Sequence, residues 1–375
     1  MRCLVQPGDG IQPLLQAISA AKKSIEIVIF RFDRREIERA LAGAVARGVR
    51  VQALIAYTNR GGEKNLRELE MRLLAAGVTV ARTDNDLVRY HGKLMIVDRR
   101  QLFLLAFNFT YLDIEHSRSF GIITTNRKHV REAIKLFEAD TQRQPYTPGS
   151  STFIVSPVNA RKRLTAFVKG AKKELLIYDP EISDHDIIQL LEERASAGVT
   201  VQIIGRLGAD SASLEARQLN RMRLHTRSIV RDRHYAFIGS QSLRPLELDA
   251  RREVGIIFRD PTAVKRVAGT FHADWALTEK ISAASKPEDE AAIEGPAPAS
   301  KVAKRVAKAM VSGLAPVTPV LEMTVKEVGG AGTEVNLNSV LVENKVKDAV
   351  KKAVKEVVKD LVEEAIATQS GENGN

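Results

Sequence analysis

His91-Gly92-Lys93-Leu94-Met95-Ile96-Val97-Asp98 and His225-Thr226-Arg227-Ser228-Ile229-Val230-Arg231-Asp232 share one layout. Each puts a cation at the second position after a histidine and closes an apolar run on an aspartate. The displacement that carries His91 onto His225 also carries Phe137 onto Phe271 and Asp140 onto Asp274. Upstream, Ala21-Lys22-Lys23-Ser24-Ile25-Glu26-Ile27 is answered by Ala171-Lys172-Lys173-Glu174-Leu175-Leu176-Ile177, and Gly48-Val49-Arg50-Val51-Gln52 by Gly198-Val199-Thr200-Val201-Gln202, here with a larger displacement. An internal duplication accounts for both. The second copy is shorter where the first carries Tyr57 to Tyr90 with its Gly61-Gly62 turn, a loop or helix trimmed from outside the core.

Within each copy, short apolar runs (Ile25 to Phe30, Val199 to Ile204) alternate with segments of helical period (Arg35 to Ala46, Asp186 to Ala197), which is α/β patterning. After each histidine the runs crowd together: Leu94 to Val97, Leu102 to Ala106, Phe120 to Thr124, then a helical stretch ending near Phe137. The expected fold is α/β, two pseudo-symmetric lobes with mixed sheets flanked by helices. The lobes are expected at 1–146 and 147–281. From about Ser282 the composition turns to Pro, Ala, Glu and Lys, so 282–375 reads as a linker and tail. Lys301 to Leu314 and Val342 to Ile366 are amphipathic there. A disordered or helical tail that pairs with itself, the body or a partner is expected rather than membrane insertion.

A chain of 375 residues with 44% hydrophobic content supports substantial cores and excludes wholesale disorder. The net charge is +11; positions 281–375 hold 12 Lys and Arg against 14 Asp and Glu, so the basicity resides in the part before them. A basic body favours anionic partners such as lipid head groups or nucleic acid. The single cysteine, Cys3, rules out an intramolecular disulfide. Neither a signal-peptide stretch nor a run long enough to span a bilayer is legible, so a cytoplasmic protein, peripheral to the membrane at most, is expected.

Alternate residues of a strand share a face, so each histidine is expected beside its cation, Lys93 or Arg227. That pairing suits a phosphate: the cation holds non-bridging oxygens while the imidazole handles phosphorus or a proton. Asn108 and Ser242 stand at equal distances after their histidines, and the Gly239-Ser240 turn adds donors for charge growing in a transition state. Two histidines in register offer a nucleophile on one side of a phosphodiester and a general acid on the other. The remaining histidines, His116, His129, His185, His234 and His272, form no metal-ligand spacing.

These residues resemble the phospholipase D superfamily, whose signature His-x-Lys-x4-Asp-x6-Gly-Ser-x-Asn occurs twice in a bilobal monomer. The resemblance covers roughly residues 1–280. Ser156-Pro157-x-Asn159-Ala160-Arg161 and Gly239-Ser240-Gln241-Ser242-Leu243 look most like its bacterial cardiolipin-synthase-like branch. It implies a phosphodiesterase that hydrolyses or transfers phosphatidyl groups through a phosphohistidine, with no metal or organic cofactor. The departures are uneven. Leu105-Ala106 replaces Gly-Ser in the first copy, and Ser119 stands where a carboxylate would follow. The second copy has Arg227 for Lys and Ser242 for Asn but keeps Asp232, Gly239, Ser240 and Glu253. The resemblance implies that Glu253 orients His91, which favours His91 as nucleophile and His225, facing Ser119 or a water, as acid. Asp98 and Asp232 are expected to be structural. A nuclease of the same superfamily and a degenerate phosphate-binding pseudoenzyme are the alternatives.

Overall fold

The computed structural model describes residues 1–57, 63–208 and 214–280. The tail expected over 282–375, with its two amphipathic segments, lies outside the described residues. The first half runs β1 (Arg2–Gln6), α1 (Gln12–Ala20), β2 (Ser24–Ile29), α2 (Arg35–Ala46), β3 (Arg50–Ile55), α3 (Glu63–Ala75) and β4 (Thr79–Arg82). It continues through β5 (Arg89–Tyr90), β6 (Leu94–Val97), β7 (Gln101–Leu105), α4 (Tyr111–Glu115), β8 (Ser117–Thr124) and α5 (Arg127–Gln142). The second half opens with β9 (Phe153–Val155), α6 (Ala160–Lys169), β10 (Glu174–Ile182), α7 (His185–Ser196), β11 (Thr200–Leu207), β12 (Ala216–Gln218) and β13 (Arg223–Leu224). It closes with β14 (Arg227–Arg231), β15 (Tyr235–Gly239), α8 (Pro245–Asp249), β16 (Arg251–Arg252), β17 (Val254–Phe258), α9 (Pro261–Trp275) and β18 (Glu279–Lys280).

The two main sheets repeat one topology. The first has the order β1-β8-β7-β6-β2-β3-β4, and the second β9-β17-β15-β14-β10-β11-β12 followed by β18. Both are mixed: β2 pairs parallel with β3 and antiparallel with β6, as β10 does with β11 and β14. Helix α3 has no equivalent among the described residues of the second half. The link from β11 to β12 spans only 208–215, shorter than α3 itself, which locates the sequence deletion.

Alternation along the central strands builds the layers. Ile25, Ile27 and Ile29 of β2 pack with Leu14, Ile37 and Leu69 from α1, α2 and α3, while Leu175 and Ile177 of β10 pack with Leu164 and Leu191 from α6 and α7. The opposite faces meet in one shared core, where Ile96, Leu104 and Phe120 join Leu176, Tyr178 and Ile238 together with Phe137 of α5 and Phe271 of α9. The halves therefore bury each other.

Two short pairings cross between the halves. β16 runs parallel to β5, with Arg251 opposite Arg89, and β13 runs parallel to β8, with Arg223 opposite Ser117. Two charge pairs repeat the same symmetry. Arg118 donates to both Asp274 oxygens at 2.6 and 2.9 Å, and Arg252 lies 3.2 Å from Asp140. Tyr178 adds a hydroxyl donor to Asp274. In the first half the residue equivalent to Tyr178 is Val28, which lines a small cavity together with Asp140 and Arg252. Asp274→Ala strands Arg118 and Tyr178 at this interface; a loss of about 3–5 kcal/mol is expected, read from the shift in denaturant midpoint.

Candidate active site

Each motif histidine sits just ahead of a central strand, between that strand and a cross-half pairing. His91 follows β5 and precedes β6; His225 follows β13 and precedes β14. The alternation pattern had placed both inside regular strands. They stand instead in the extended link before each strand, and that link still brings each histidine beside its cation. Backbone bonds from the opposite half pin both: the His91 amide donates to the Arg252 carbonyl at 2.8 Å, and the His225 amide to the Arg118 carbonyl at 3.1 Å. A site residue of one half is therefore located by the strand of the other.

His91 is buried and has both ring nitrogens engaged. Nδ1 lies 3.0 and 2.9 Å from the two oxygens of Glu253, itself fully buried, and Lys93 Nζ lies 2.8 Å from Nε2. An ammonium can only donate, which leaves the Nε2 lone pair in place and puts the ring proton on Nδ1, facing the carboxylate. Phe30 packs edge-on against the imidazole at 4.5 Å between ring centroids. It fixes the ring plane and carries the Lys93 ammonium 5.5 Å from its own centre.

His225 is equally buried, and a carboxylate that the sequence reading did not name stands beside it. The group at its Nδ1 is the Asp113 carboxylate, 3.4 Å away. Asp113 is anchored at the start of α4: it accepts from the Asn108 amide and Nδ2, both at 2.7 Å, and from Arg223 at 2.7 Å. Its counterpart in the repeat is Glu247 of α8, which accepts from the Ser242 amide and from Arg251 at 2.8 Å. The sequence carried a signal for both, a carboxylate at the fifth position beyond Asn108 and again beyond Ser242.

The other motif residues divide into those that meet at the site and those that hold strands. Arg227 is buried, donating to Ser242 Oγ at 3.0 Å and to the His225 carbonyl at 2.7 Å. Ser240 Oγ takes the Val254 amide at 3.0 Å, so it braces the strand beside Glu253. Gly239 lies opposite Gly255, and a Cβ there would fall 2.8 Å from the Gly255 Cα. In the first half Leu105 fills the matching space above Gly121. Asp98 accepts from the amides of Lys22, Lys23 and Ser24, and Asp232 from those of Lys172, Lys173 and Glu174. These two aspartates tie a left-handed turn (φ 53° and 54°) to the start of each central strand.

The changes at positions 106 and 119 belong together. In the second half Ser240, bonded to the Val254 backbone, favours the ionised form of the neighbouring Glu253. In the first half Ala106 and Ser119 replace both members, so no buried carboxylate is left without a donor. Among the described residues, the Ser119 hydroxyl, Asn108 Oδ1, His225 Nδ1 and Thr226 hydroxyl are buried without a hydrogen-bond partner. Unsatisfied groups of this kind beside the motif residues are ones that an oxygen-rich group can satisfy.

Burial dominates the electrostatics. It pushes His91 well below its ordinary value, helped by Lys93 and Arg227, and pushes His225 down likewise, helped by Arg223 and Arg227. Lys93 is brought down to about 7, chiefly by burial. Glu253 is lifted to about 8 by burial and by nearby Glu247. Glu247 is held low in spite of burial, by Arg227 and Arg244. The site thus keeps neutral imidazoles beside the guanidiniums of Arg223 and Arg227, a setting that favours an arriving anion and an unprotonated nitrogen nucleophile. Among the described residues no group of three or more His, Cys, Asp or Glu is placed to hold a metal ion, and no helix is long and apolar enough to cross a membrane.

Known proteins match the same region. The sequence profile of the family described as "Cardiolipin synthase, PLD-like domain" matches residues 14–141 and 164–275, once in each half. A mitochondrial cardiolipin hydrolase of Canis lupus familiaris is 31% identical over 141 residues, covering 36% of this chain and 53% of that protein, so the match spans about half of that relative's length. Cardiolipin synthase B of Escherichia coli (strain K12) is 23% identical over 332 residues, covering 69% of this chain and 79% of that one. Among solved structures, a polyphosphate kinase from Porphyromonas gingivalis superposes with a TM-score of 0.62 at 19% identity, over 76% of this chain and 50% of that chain, a likeness of fold.

Proposed function

The chain belongs to the phospholipase D-like family, and from that premise we propose that it cleaves or transfers phosphatidyl groups of phospholipids through a phosphohistidine on His91, with His225 as general acid. The observation that carries this is the contact of Glu253, from one half, with Nδ1 of His91 in the other. Attack by Nε2 on phosphorus places positive charge on the ring, and the carboxylate takes up that charge while holding the proton on Nδ1. Lys93 exchanges its bond to Nε2 for a non-bridging phosphate oxygen, and Arg227 offers its guanidinium to another. As the His91–phosphorus bond forms and the phosphorus–oxygen bond breaks, His225 gives its proton to the leaving alcohol oxygen. Water or a second alcohol then attacks phosphorus, His225 takes the proton back, and His91 leaves.

The names of the two relatives, a cardiolipin hydrolase and a cardiolipin synthase, favour a lipid substrate over a nucleic acid. Vesicles of anionic and zwitterionic phospholipid, assayed for released head group, are expected to be turned over by the wild type and spared by His91→Ala. Cleavage of single-stranded DNA with intact lipid would overturn the lipid assignment, and inertness toward both would overturn the enzyme.

A further inference from the structure

Resting on the assignment of His225 as general acid, we infer that Asp113 is its positioning carboxylate, having taken over in the first half the work that Glu253 does in the second. The repeat makes the substitution visible. Glu253 has its counterpart in Ser119, whose buried hydroxyl has no hydrogen-bond partner among the described residues, so His225 has lost the carboxylate expected from that strand. The nearby anion comes from α4: Asp113 Oδ2 stands 3.4 Å from His225 Nδ1, and the two side chains are only 4% and 5% exposed. Three donors prevent it from swinging away: the Asn108 amide, Asn108 Nδ2 and Arg223. At 3.4 Å the pair acts through charge more than through a formed hydrogen bond, a separation that closes when the ring carries its proton.

The groups that act most strongly on His225 come from both halves. Arg223 on β13, Arg227 on β14, Lys93 ahead of β6 and His91 from the facing motif all oppose its protonation. Asp113 is the carboxylate at ion-pair distance that counters them. Removing its charge lowers the His225 pKa further, so the protonated acid is lost at a lower pH. Asp113 touches the histidine and not the reacting atoms, which makes it a positioning residue.

Glu253 and Asp113 thus support the two histidines from different elements: Glu253 reaches His91 from the strand region of the second half, and Asp113 reaches His225 from α4 of the first, each across the boundary between the halves. Each charge is compensated locally, Glu253 by Lys93 and Asp113 by Arg223.

The test is a pair of charge relocations read by pH profile. Asp113→Asn keeps an acceptor for the Asn108 amide while removing the charge. It is expected to move the alkaline limb of kcat to lower pH by about one unit and to slow phospholipids with an alkyl-alcohol leaving group about tenfold, while a nitrophenyl phosphodiester changes less than about twofold. Ser119→Glu, which rebuilds the lost partner, is expected to move the limb up, and the double variant Asp113→Asn/Ser119→Glu to return it toward the wild-type position. If Asp113→Asn fails to fold, Ser119→Glu alone still reads the effect. An unmoved limb in both single variants, or equal slowing of both leaving groups, overturns the role of Asp113. Should His225→Ala itself slow both leaving groups alike, the general-acid assignment fails first, and the two failures are told apart.

Discussion

His91→Ala is expected to abolish turnover of every phosphodiester, by roughly 10⁴-fold or more, with the fold retained. The loss is large because the nitrogen that forms the covalent bond disappears, and no neighbour can substitute: Lys93 is buried beneath Phe30 and Glu253 faces the far side of the ring. The fold survives because the imidazole is small and Lys93 and Glu253, which already act on each other, remain as partners. Quenching into alkaline detergent, where a phosphorus–nitrogen bond survives, after mixing with a phosphorus-labelled lipid is expected to trap label on residue 91 of the wild type and none on the variant. Label at residue 225 would reverse the roles of the two histidines.

His225→Ala gives the second large effect, and its size depends on the leaving group. A phospholipid whose alcohol needs a proton is expected to lose about 10³-fold, whereas a nitrophenyl ester, which departs as a stable anion, is expected to stay within about tenfold of wild type. The pH dependence follows from the same residue. Burial and its cationic neighbours lower the His225 value below the ordinary 6.5, so the protonated acid is fully present only on the acidic side and is lost as pH rises. For the wild type, kcat/KM on the alkyl substrate should already be falling below pH 6.5, and the nitrophenyl ester should not share that limb. A shared limb would assign the titration to another group.

Much of this architecture was legible because a repeat constrains a sequence twice. The helix over Arg35 to Ala46 and the strand over Leu94 to Val97 fall where their periodicity placed them. The stretch read as ending near Phe137 runs on to Gln142, because Glu138 and Asp140 interrupt the apolar pattern while still facing charge partners, Arg99 and Arg252. Arg118, Arg252, Asp140 and Asp274 were visible as letters but not as clamps between halves, since spacing along a chain carries no information about which copy's strand approaches which. Asp113 was missed for a related reason. The family pattern directs attention to the strand residue at 119, and a helix as short as α4 contributes too little periodicity to mark one of its acids as inward-facing.

The exchange of short strands between the halves has a consequence for the newly made chain. His91 and Lys93 leave the ribosome long before Glu253, which lies far along the second half. Until β16 lies along β5, no carbonyl fixes the histidine backbone and no carboxylate orients its ring. A half-synthesised molecule carries the letters of the proposed nucleophile without the groups that orient it, and a frameshift or proteolytic cut that discards the second half is expected to yield a silent fragment. Completion of the polypeptide is in this sense the event that assembles the site.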